Sequence, residues 1–437
     1  MKDKISTKTL PGFAEYLPAE QIAFNKIKDT IARVYESFGF VPLDTPVLER
    51  KEVILAKAGG ETEKQIYYLQ KGDEELALRF DLTIPLARYV SEHFPNLIFP
   101  FRRYHIAKVY RGERPQRGRF REFYQADIDI VTENELPLIN DAEIVKVICG
   151  VFSELNFGDF TVRINNRKIL NGFFAYLKLG SQTTDILRII DKLDKIGRDK
   201  VKEALFEIEV NSETADKILD FVLIKGETKN VLSDLAKLNI KNDLFLEGVS
   251  EITEVVSYLE DFGVKTNNYQ LDLAIARGLD YYTGTVYETV LNDYPQIGSV
   301  CSGGRYNDLA GYYSDKQLPG VGVSIGLSRL FFQLQDAGLI KTEGATTADI
   351  LLVSENLKAA SKLADDLRLA GLAIIGAYGA DKFKKKLNLA NRIGVKAVII
   401  LGEDEINGKY FSLKDMLSGE QIKATKAAEV KRFLKIL

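Results

Sequence analysis

Arginine is concentrated in one short stretch of this chain. Seven arginines lie between Arg102 and Arg121, in the sequence RRYHIAKVYRGERPQRGRFR. The guanidinium group is planar, permanently charged and carries a fixed fork of donors that fits two phosphate oxygens at once. The stretch therefore predicts either a site for a polyanion or a basic surface hairpin whose charges are solvated.

An alternating sequence, REFYQADIDIV, begins at the last of these arginines. Alternation of this kind is typical of a β-strand, in which every second side chain shares one face. One face would carry Arg121, Phe123, Gln125, Asp127 and Asp129. The pattern predicts a nucleotide site in which phosphates meet the arginines, a base stacks on Phe123, and Gln125 and Asp129 hold a second ligand.

A carboxylate and a hydroxyl lie two residues apart in the segment LALRFDLTIPLARYV, as Asp81 and Thr83. At the end of a strand, the two groups could hold the ammonium of a ligand. Thr83 would also cap the following helix, whose early Pro85 suits a first turn. The alternative for the carboxylate is a surface ion pair with Arg79.

An arginine continues an apolar strand face in the segment LDLAIARGLDYYTGTVYETV. Arg277 falls where the alternation expects a core residue, and burial of its charge without a partner would be very costly. Either a ligand phosphate or Asp280 could supply that partner. Tyr281 and Tyr282 follow and would present their phenols to opposite faces.

Glycines mark a further segment, SVCSGGRYNDLAGYYSDKQLPGVGVSIGLSRL. Gly303 and Gly304 permit close approach of the backbone to a ligand, and Gly326 leads into a helix that carries Arg329. The spacing matches neither a P-loop nor a dinucleotide fingerprint. A plausible Cys and His pair is also absent from the sequence, so covalent catalysis by a cysteine is not expected.

Composition narrows the class of protein. The 437 residues allow two or three domains, and the net charge of -3 excludes a uniformly basic nucleic-acid binder. Two cysteines and two histidines offer neither a zinc spacing nor a disulfide framework. The N-terminal sequence does not read as a secretory leader, and no apolar run is long enough to span a bilayer. We expect a cytoplasmic protein without a metal site of its own.

The predicted secondary structure and the composition change along the chain. Helices and short strands alternate in residues 1–180, residues 181–262 are almost wholly helical and charged, and strands and glycines return in residues 263–340. A small polar run near Gly344 precedes residues 345–437, where continuous apolar strands alternate with amphipathic helices. That last pattern predicts an α/β domain with a sheet covered on both faces.

In this order, the segments resemble the class II aminoacyl-tRNA synthetases, and the histidyl family among them. VPLDTPVLE, with Pro46, resembles motif 1, the dimer-forming element; YRGERPQRGRFREFYQADIDI resembles motif 2; and GVGVSIGLSRL resembles motif 3. IARGLDYYTGTVYE resembles the segment that distinguishes the histidyl family. The resemblance implies an α/β fold of α+β type: a catalytic core with an antiparallel sheet flanked by helices, a helical insertion, and an anticodon-binding domain at the C-terminal end.

The resemblance also implies roles for individual residues. Asp81, Thr83 and Gln125 would hold the ammonium of L-histidine, while Asp129 and Tyr282 would contact its imidazole. The implied histidine site comprises Asp81, Leu82, Thr83, Gln125, Asp129, Tyr281 and Tyr282. Arg111 and Arg277 would act on the α-phosphate of ATP as the catalytic pair, Phe123 would stack on adenine, and Arg329 would hold the far phosphates.

Two departures from the family pattern are visible. Ser328 precedes Arg329, where an acidic residue is common. Asp129 is one methylene shorter than the usual glutamate, which implies contact with the ring either through a water or through a shifted strand.

Two functions from different classes fit the resemblance. The first is a homodimeric ligase that uses ATP, with Mg2+ carried by the nucleotide, to join histidine to tRNA(His). The second is a non-catalytic, histidine-sensing regulatory subunit of ATP phosphoribosyltransferase. Two arginines around a triphosphate and a tRNA-reading domain favour the ligase.

Overall fold

A computed structural model describes residues 5–56, 63–275, 282–307, 310–342, 344–379 and 381–435. The chain forms two compact units. One comprises residues 1–14 and 27–339, and the other comprises residues 15–26 and 340–437. The break at residue 340 lies close to the polar run from which a boundary near Gly344 was predicted. The finer division into four domains stays a prediction.

The strands of the first unit are β1 (Val41–Pro42), β2 (Leu48–Arg50), β3 (Tyr68–Lys71), β4 (Glu74–Leu78), β5 (Phe101–Tyr110), β6 (Glu122–Val131), β7 (Phe160–Asn166), β8 (Tyr269–Leu271), β9 (Tyr282–Leu291), β10 (Ser299–Tyr306) and β11 (Gly320–Ile325). Eight of them form one sheet in the order β1-β5-β6-β11-β10-β9-β7-β8. Neighbours from β5 to β7 are antiparallel, and only the two edge pairs are parallel. The antiparallel core sheet expected from the sequence is therefore confirmed. A smaller sheet has the order β2-β4-β3.

Helix α1 (Pro18–Ser37) contributes residues 18–26 to the second unit and residues 27–37 to the first. The other helices of the first unit are α2 (Lys51–Leu55), α3 (Thr83–His93), α4 (Ile139–Leu155), α5 (Arg167–Tyr176), α6 (Thr183–Ile190), α7 (Leu193–Glu207), α8 (Ser212–Val222), α9 (Thr228–Lys237), α10 (Asp243–Asp261) and α11 (Leu327–Asp336). Helix α4 buries a continuous apolar face that includes Ile144, Val147 and Phe152. Each such side chain contributes about 1.5–3 kcal/mol when it leaves water. This burial helps to fix the sheet that carries the site.

Helices α6 to α10 occupy the region in which a helical insertion was predicted. The last of them, α10, lies close against α5. Gly172 and Gly248 have no side chains, so the two helices can approach at these positions. A Cβ atom on Gly172 would lie 2.4 Å from the backbone nitrogen of Phe245. The insertion is thus anchored to the large sheet through α5, which directly follows β7.

The second unit contains β12 (Ile350–Ser354), α12 (Leu357–Leu369), β13 (Ile374–Tyr378), α13 (Phe383–Ile393), β14 (Ala397–Leu401), α14 (Glu403–Gly408), β15 (Phe411–Asp415), β16 (Gln421–Ala424) and α15 (Ala427–Leu434). The sheet order is β13-β12-β14-β15-β16. Alternate residues of β12 enter two separate cores: Ile350 and Leu352 pack with α12, whereas Leu351 and Val353 pack with α13. The predicted α/β sheet covered on both faces is confirmed.

Candidate active site

A cavity of about 450 Å³ opens over one face of the large sheet. A volume of this size is typical of small-molecule sites. The predicted site residues that line it are Asp81, Thr83, Arg111, Phe123, Gln125, Tyr282 and Arg329. Leu82 and Asp129 do not line this cavity, and Arg277 and Tyr281 lie outside the described residues. Positions spread over some 250 residues of sequence thus converge on one site.

The entry to helix α3 places Asp81 in the cavity wall. Its Oδ1 atom accepts hydrogen bonds from the backbone N–H groups of Thr83 (3.2 Å) and Ile84 (2.9 Å). The expectation that Thr83 caps this helix is therefore wrong, because Asp81 makes the capping bonds and leaves the Thr83 hydroxyl for the cavity. Burial raises the pKa of Asp81, while those backbone bonds and Arg111 oppose the shift.

Leu82 and Arg79 are buried on either side of Asp81 and stabilise the segment that leads into α3. Leu82 is completely buried and packs with Ala107 and Val109. Arg79 is also buried, and its guanidinium donates to the carbonyls of Lys108 (2.8 Å) and Thr45 (2.6 Å). The surface pair considered for Arg79 and Asp81 is not formed.

Two aromatic rings hold Arg111 at the cavity. Its guanidinium carbon lies 4.5 Å from the centre of the Phe80 ring and 5.1 Å from that of Phe123. The Nε atom donates to the Phe80 carbonyl at 3.3 Å. Cation–π contacts and one hydrogen bond therefore fix the direction of a group that must otherwise be ordered when a ligand binds.

Strand β6 presents its polar face to the cavity as the alternation predicted. Gln125 donates through Nε2 to the Ser324 hydroxyl at 2.7 Å, and its Oε1 atom is buried without a hydrogen-bond partner among the described residues. Because the nitrogen of the amide is committed to Ser324, the oxygen is the atom that remains for a ligand. A carbonyl oxygen in that position suits an ammonium donor.

Asp129 lies deeper than the cavity, in a small inner pocket of about 20 Å³ that Thr83 and Tyr282 also line. Its Oδ2 atom forms an ion pair of 2.6 Å with Arg103 Nη2, and its Oδ1 atom accepts from the Tyr306 hydroxyl at 2.9 Å. Arg103 is completely buried. Both oxygens of Asp129 are thus engaged by the protein.

Glycines form the floor between the central strands. A Cβ atom on Gly303 would lie 2.1 Å from the Gly322 carbonyl oxygen, and one on Gly322 would lie 2.2 Å from Asp129 Oδ1. These distances are far below any real contact, so the floor admits no side chain at either position. The close approach expected for Gly303 is therefore an approach of backbone to backbone.

Helix α11 begins at the cavity, and Gly326 and Arg329 line the cavity there. Arg329 donates through Nη2 to the Ile297 carbonyl at 3.3 Å. The Ser328 hydroxyl accepts from the Tyr124 backbone N–H at 2.9 Å and so ties α11 to β6. Ser328 therefore positions the helix, whose N-terminal dipole favours an anion.

Most of the seven clustered arginines do not face the cavity. Arg102 pairs with Glu143, Arg103 with Asp129, and Arg117 with Asp336. Only Arg111 and Arg119 of the seven line the cavity. Three of the seven charges are thus neutralised by carboxylates distant in sequence and are not available to a polyanion.

Several cavity residues were missed in the sequence. Glu113, Phe120, Glu288, Ser299 and Ser324 line the cavity, and nothing in their local pattern marks them. Asp127 also lines it and was noticed only as a member of the strand face. Its place between Gln125 and Asp129 was the signal that could have identified it.

Asp127 should make stability depend on pH. Burial raises its pKa to about 7, while Arg103 and a hydrogen bond with Ser324 oppose the shift. The folded state keeps this proton where the unfolded chain, with a pKa near 3.8, has lost it. The stabilising contribution is therefore fully present below about pH 4 and is lost as the pH rises through about 7.

We expect the unliganded protein to lose stability between about pH 4 and pH 7, and Asp127→Asn to flatten that part of the profile. Urea unfolding midpoints measured across this pH range give the change of stability with pH for the unaltered chain and for Asp127→Asn. Parallel profiles for the two proteins would show that Asp127 does not titrate in this window.

Within the described ranges, no group of three or more His, Cys, Asp or Glu side chains could hold a metal ion. No helix in that part of the chain is long and apolar enough to cross a membrane.

Comparison with known proteins adds independent evidence. Residues 12–330 match the family model described as histidyl-tRNA synthetase, and residues 347–436 match that of an anticodon binding domain. The histidine–tRNA ligase of Clostridium tetani is 54% identical over 427 residues, which cover 96% of each chain. The crystal structure of histidyl-tRNA synthetase from Nostoc sp. PCC 7120 has a TM-score of 0.92 and 42% identity, and 99% of each chain is covered.

The alternative suggested by the sequence shares the fold. A Bacillus halodurans structure described as an ATP phosphoribosyltransferase regulatory subunit/histidyl-tRNA synthetase superposes with a TM-score of 0.75, at 19% identity. Identity this low shows a common fold alone. The two family models, the close relatives and the convergence of the motif residues on one cavity agree: this chain belongs to the histidyl-tRNA synthetase family.

Proposed function

We propose that the chain is a histidine–tRNA ligase, which forms histidyl-adenylate from histidine and ATP and transfers the acyl group to the 3'-end of tRNA(His). One observation carries this proposal. A single cavity brings an unpartnered amide oxygen and the Asp81 carboxylate together with Arg111 and Arg329. The amide oxygen and the carboxylate suit the ammonium of an amino acid, and the two arginines suit the phosphates of ATP.

The first set would hold the amino acid. The ammonium of histidine would bind between Asp81, the Thr83 hydroxyl and Gln125 Oε1, with Leu82 fixing the backbone of that segment. Tyr282, which lines both the cavity and the inner pocket, would contact the ring, and Tyr281 is assigned to the same subsite by family resemblance. The inner pocket is about the size of one water, so Asp129 would reach the imidazole through a water.

The second set would hold ATP. Adenine would stack on Phe123, and Arg329 together with the N-terminus of α11 would hold the far phosphates. Arg111, and Arg277 by family resemblance, would neutralise the charge that develops on the α-phosphate as the carboxylate of histidine attacks it. The substrate is itself the nucleophile, so the protein needs only to align the reactants and stabilise charge.

Magnesium would arrive with the nucleotide. Mg2+ binds triphosphate oxygens together with one or two carboxylates and retains several waters. Glu113 and Glu288, which line the cavity, are carboxylates of this type. We assign the ion to the ATP complex and not to a site formed by the protein alone.

A homodimer in the cytoplasm is part of the proposal. Large apolar side chains are exposed in and beside the segment that resembles motif 1: Val41, Val47, Leu48, Tyr68 and Leu69. Several large apolar side chains exposed in one region suit an interaction site. Analytical ultracentrifugation measures whether the chain has the mass of two copies.

Pyrophosphate exchange tests the activity itself. Exchange between ATP and labelled pyrophosphate should require histidine and should stay at background with each of the other amino acids. A histidine-binding regulatory protein would give no exchange with any amino acid, and it would still bind histidine in calorimetry.

The second unit would read tRNA through helix α13. Lys382, Lys384 and Arg392 are exposed on and beside it, whereas Lys386 in the same helix is buried and donates to the Gly379 carbonyl at 2.7 Å. Tyr378, 40% exposed, is close in sequence to these cations and could stack on a base. Cations beside an exposed aromatic ring suit single-stranded RNA.

Reversal of two of these charges tests the assignment. Lys384→Glu with Arg392→Glu should raise the KM for tRNA at least tenfold at low salt. The salt dependence should weaken by about 0.7 in log–log slope for each phosphate that the protein no longer neutralises. Pyrophosphate exchange should not change.

Lys358→Glu with Lys362→Glu, on the exposed face of α12 in the same unit, is the matched control. Equal effects of the two double variants on charging would assign the loss to net charge and not to a site on α13.

A further inference from the structure

Strand β11, which the structure describes throughout, presents a single side chain to the cavity face of the large sheet. Gly320, Gly322 and Ser324 alternate along that face, and neither glycine has a side chain. Ser324 lines the main cavity and also the inner pocket. One hydroxyl group therefore lies at the point that the two pockets share, and the roles assigned above leave it without a function.

The Ser324 hydroxyl connects two side chains of β6. Its oxygen accepts a hydrogen bond from Gln125 Nε2 at 2.7 Å, and the residue lies directly opposite Asp127 across the β6–β11 pair. Burial raises the pKa of Asp127, whereas Arg103 and a hydrogen bond with Ser324 oppose that shift. A hydrogen bond that favours the charged form of a carboxylate is one that the carboxylate accepts.

The direction of these two hydrogen bonds follows from what each group can donate. An ionised carboxylate can only accept, so the Ser324 hydroxyl gives its one proton to Asp127. The hydroxyl oxygen then has only lone pairs left, and Gln125 has to meet it with the amide nitrogen. The amide oxygen of Gln125 is the atom left over, and it is this Oε1 atom that is buried without a hydrogen-bond partner among the described residues.

The orientation of the Gln125 amide decides what the subsite can bind. An amide can turn by half a rotation with almost no change of shape, and only its hydrogen bonds select one orientation. The opposite orientation would direct two N–H groups at the ligand, and N–H donors repel an ammonium. A chain of hydrogen bonds that ends on a carboxylate also polarises its members, which makes the Gln125 oxygen a better acceptor.

We propose that Ser324 is a positioning residue of the histidine subsite, which holds the Gln125 amide with its oxygen directed at the ammonium of the ligand. The inference rests on the proposed ligase function and deepens it. Ser324 acts through Gln125 and needs no contact with the substrate. Its loss should therefore affect ligands that carry an ammonium, and only while Gln125 is present.

The first test compares histidine with 3-(imidazol-4-yl)propanoate, which keeps the ring and the carboxylate but has no ammonium. The titrations are made at pH 8, above the pKa of about 7 that burial gives Asp127. In calorimetry, Ser324→Ala should weaken histidine binding about tenfold or more and change the affinity for the propanoate by less than about twofold. In pyrophosphate exchange, the KM for histidine should rise by a similar factor while the KM for ATP stays within about twofold.

Two further variants show how Ser324 acts. Ser324→Ala should weaken histidine binding no further when it is added to Gln125→Ala, whereas two independent contacts would give additive losses. Ser324→Cys keeps the shape of the side chain but forms only weak hydrogen bonds, so its histidine affinity should resemble that of Ser324→Ala.

The matched control removes a serine hydroxyl from the second unit. Ser354 is buried and donates to the Leu401 carbonyl at 2.6 Å. Ser354→Ala should leave the affinity for both ligands unchanged.

The outcomes separate the inference from the function on which it rests. Equal losses for histidine and the propanoate in Ser324→Ala would make Ser324 a structural residue and overturn the inference, and so would an unchanged histidine affinity. Calorimetry measures binding without chemistry. A chain that binds histidine but gives no histidine-dependent exchange would therefore overturn the ligase function, while the affinities would still decide the role of Ser324. A chain that binds no histidine would overturn both.

Discussion

Asp129→Ala should lower the free energy of unfolding by about 3–5 kcal/mol, the usual cost of removing one partner from a buried ion pair. The cost is this large because Arg103 stays behind, completely buried. Two of its nitrogens, Nε and Nη1, already lack hydrogen-bond partners among the described residues. Urea unfolding of the variant and the unaltered chain measures the difference.

Two comparison variants identify the cause of that loss. Replacing both charges, with Arg103→Leu and Asp129→Ala together, should cost less than Asp129→Ala alone, since no unpaired charge remains. Glu154→Ala removes one partner of the exposed Arg33–Glu154 pair and should cost less than about 1 kcal/mol. A double variant as unstable as the sum of its parts would show that packing, not charge, explains the effect.

Arg111→Ala and Arg277→Ala should each slow adenylate formation roughly a hundredfold, as expected when one donor to developing charge is removed. Phe80 and Phe123 hold Arg111 in position before ATP binds, so its contribution needs little reorganisation. Arg277 is assigned by family resemblance. Single-turnover formation of the adenylate measures the rate, and calorimetry measures histidine affinity, which should change far less.

Arg111→Lys should recover little of the lost rate, because an ammonium keeps the charge without the fork or the ring contacts. The matched control is Arg114→Ala, an exposed arginine of the same segment, which should stay within a few-fold of the unaltered rate. Losses in histidine affinity as large as the losses in rate would contradict a role in the transition state.

Local patterns predicted the elements of the fold. Alternation identified β6, and helical periodicity identified the helical region of residues 181–262, because each pattern depends only on neighbours in sequence. The polar face of β6 was predicted for the same reason. Which strand end or helix start would lie beside that face could be inferred only from the family resemblance.

Contacts between strands were not predictable from local pattern. Arg103 lies opposite Asp129, and Ser324 opposite Asp127, only because of the register of β5 and β11 against β6. Register is set by the packing of the whole sheet, and a shift of one residue would turn every side chain to the other face. For this reason Arg103 looked like a phosphate ligand and is instead the buried partner of a carboxylate.

The glycine floor restricts how this enzyme could be redesigned. No side chain fits at Gly303 or Gly322 without breaking the strand pairs beneath the site, so mutational libraries gain nothing from sampling either position. A larger or differently shaped amino acid would have to be accommodated by the walls, at Thr83, Gln125, Asp127, Tyr282 and Ser324. An engineered synthetase for a non-standard amino acid should therefore be sought among combinations of these wall residues, with both glycines kept.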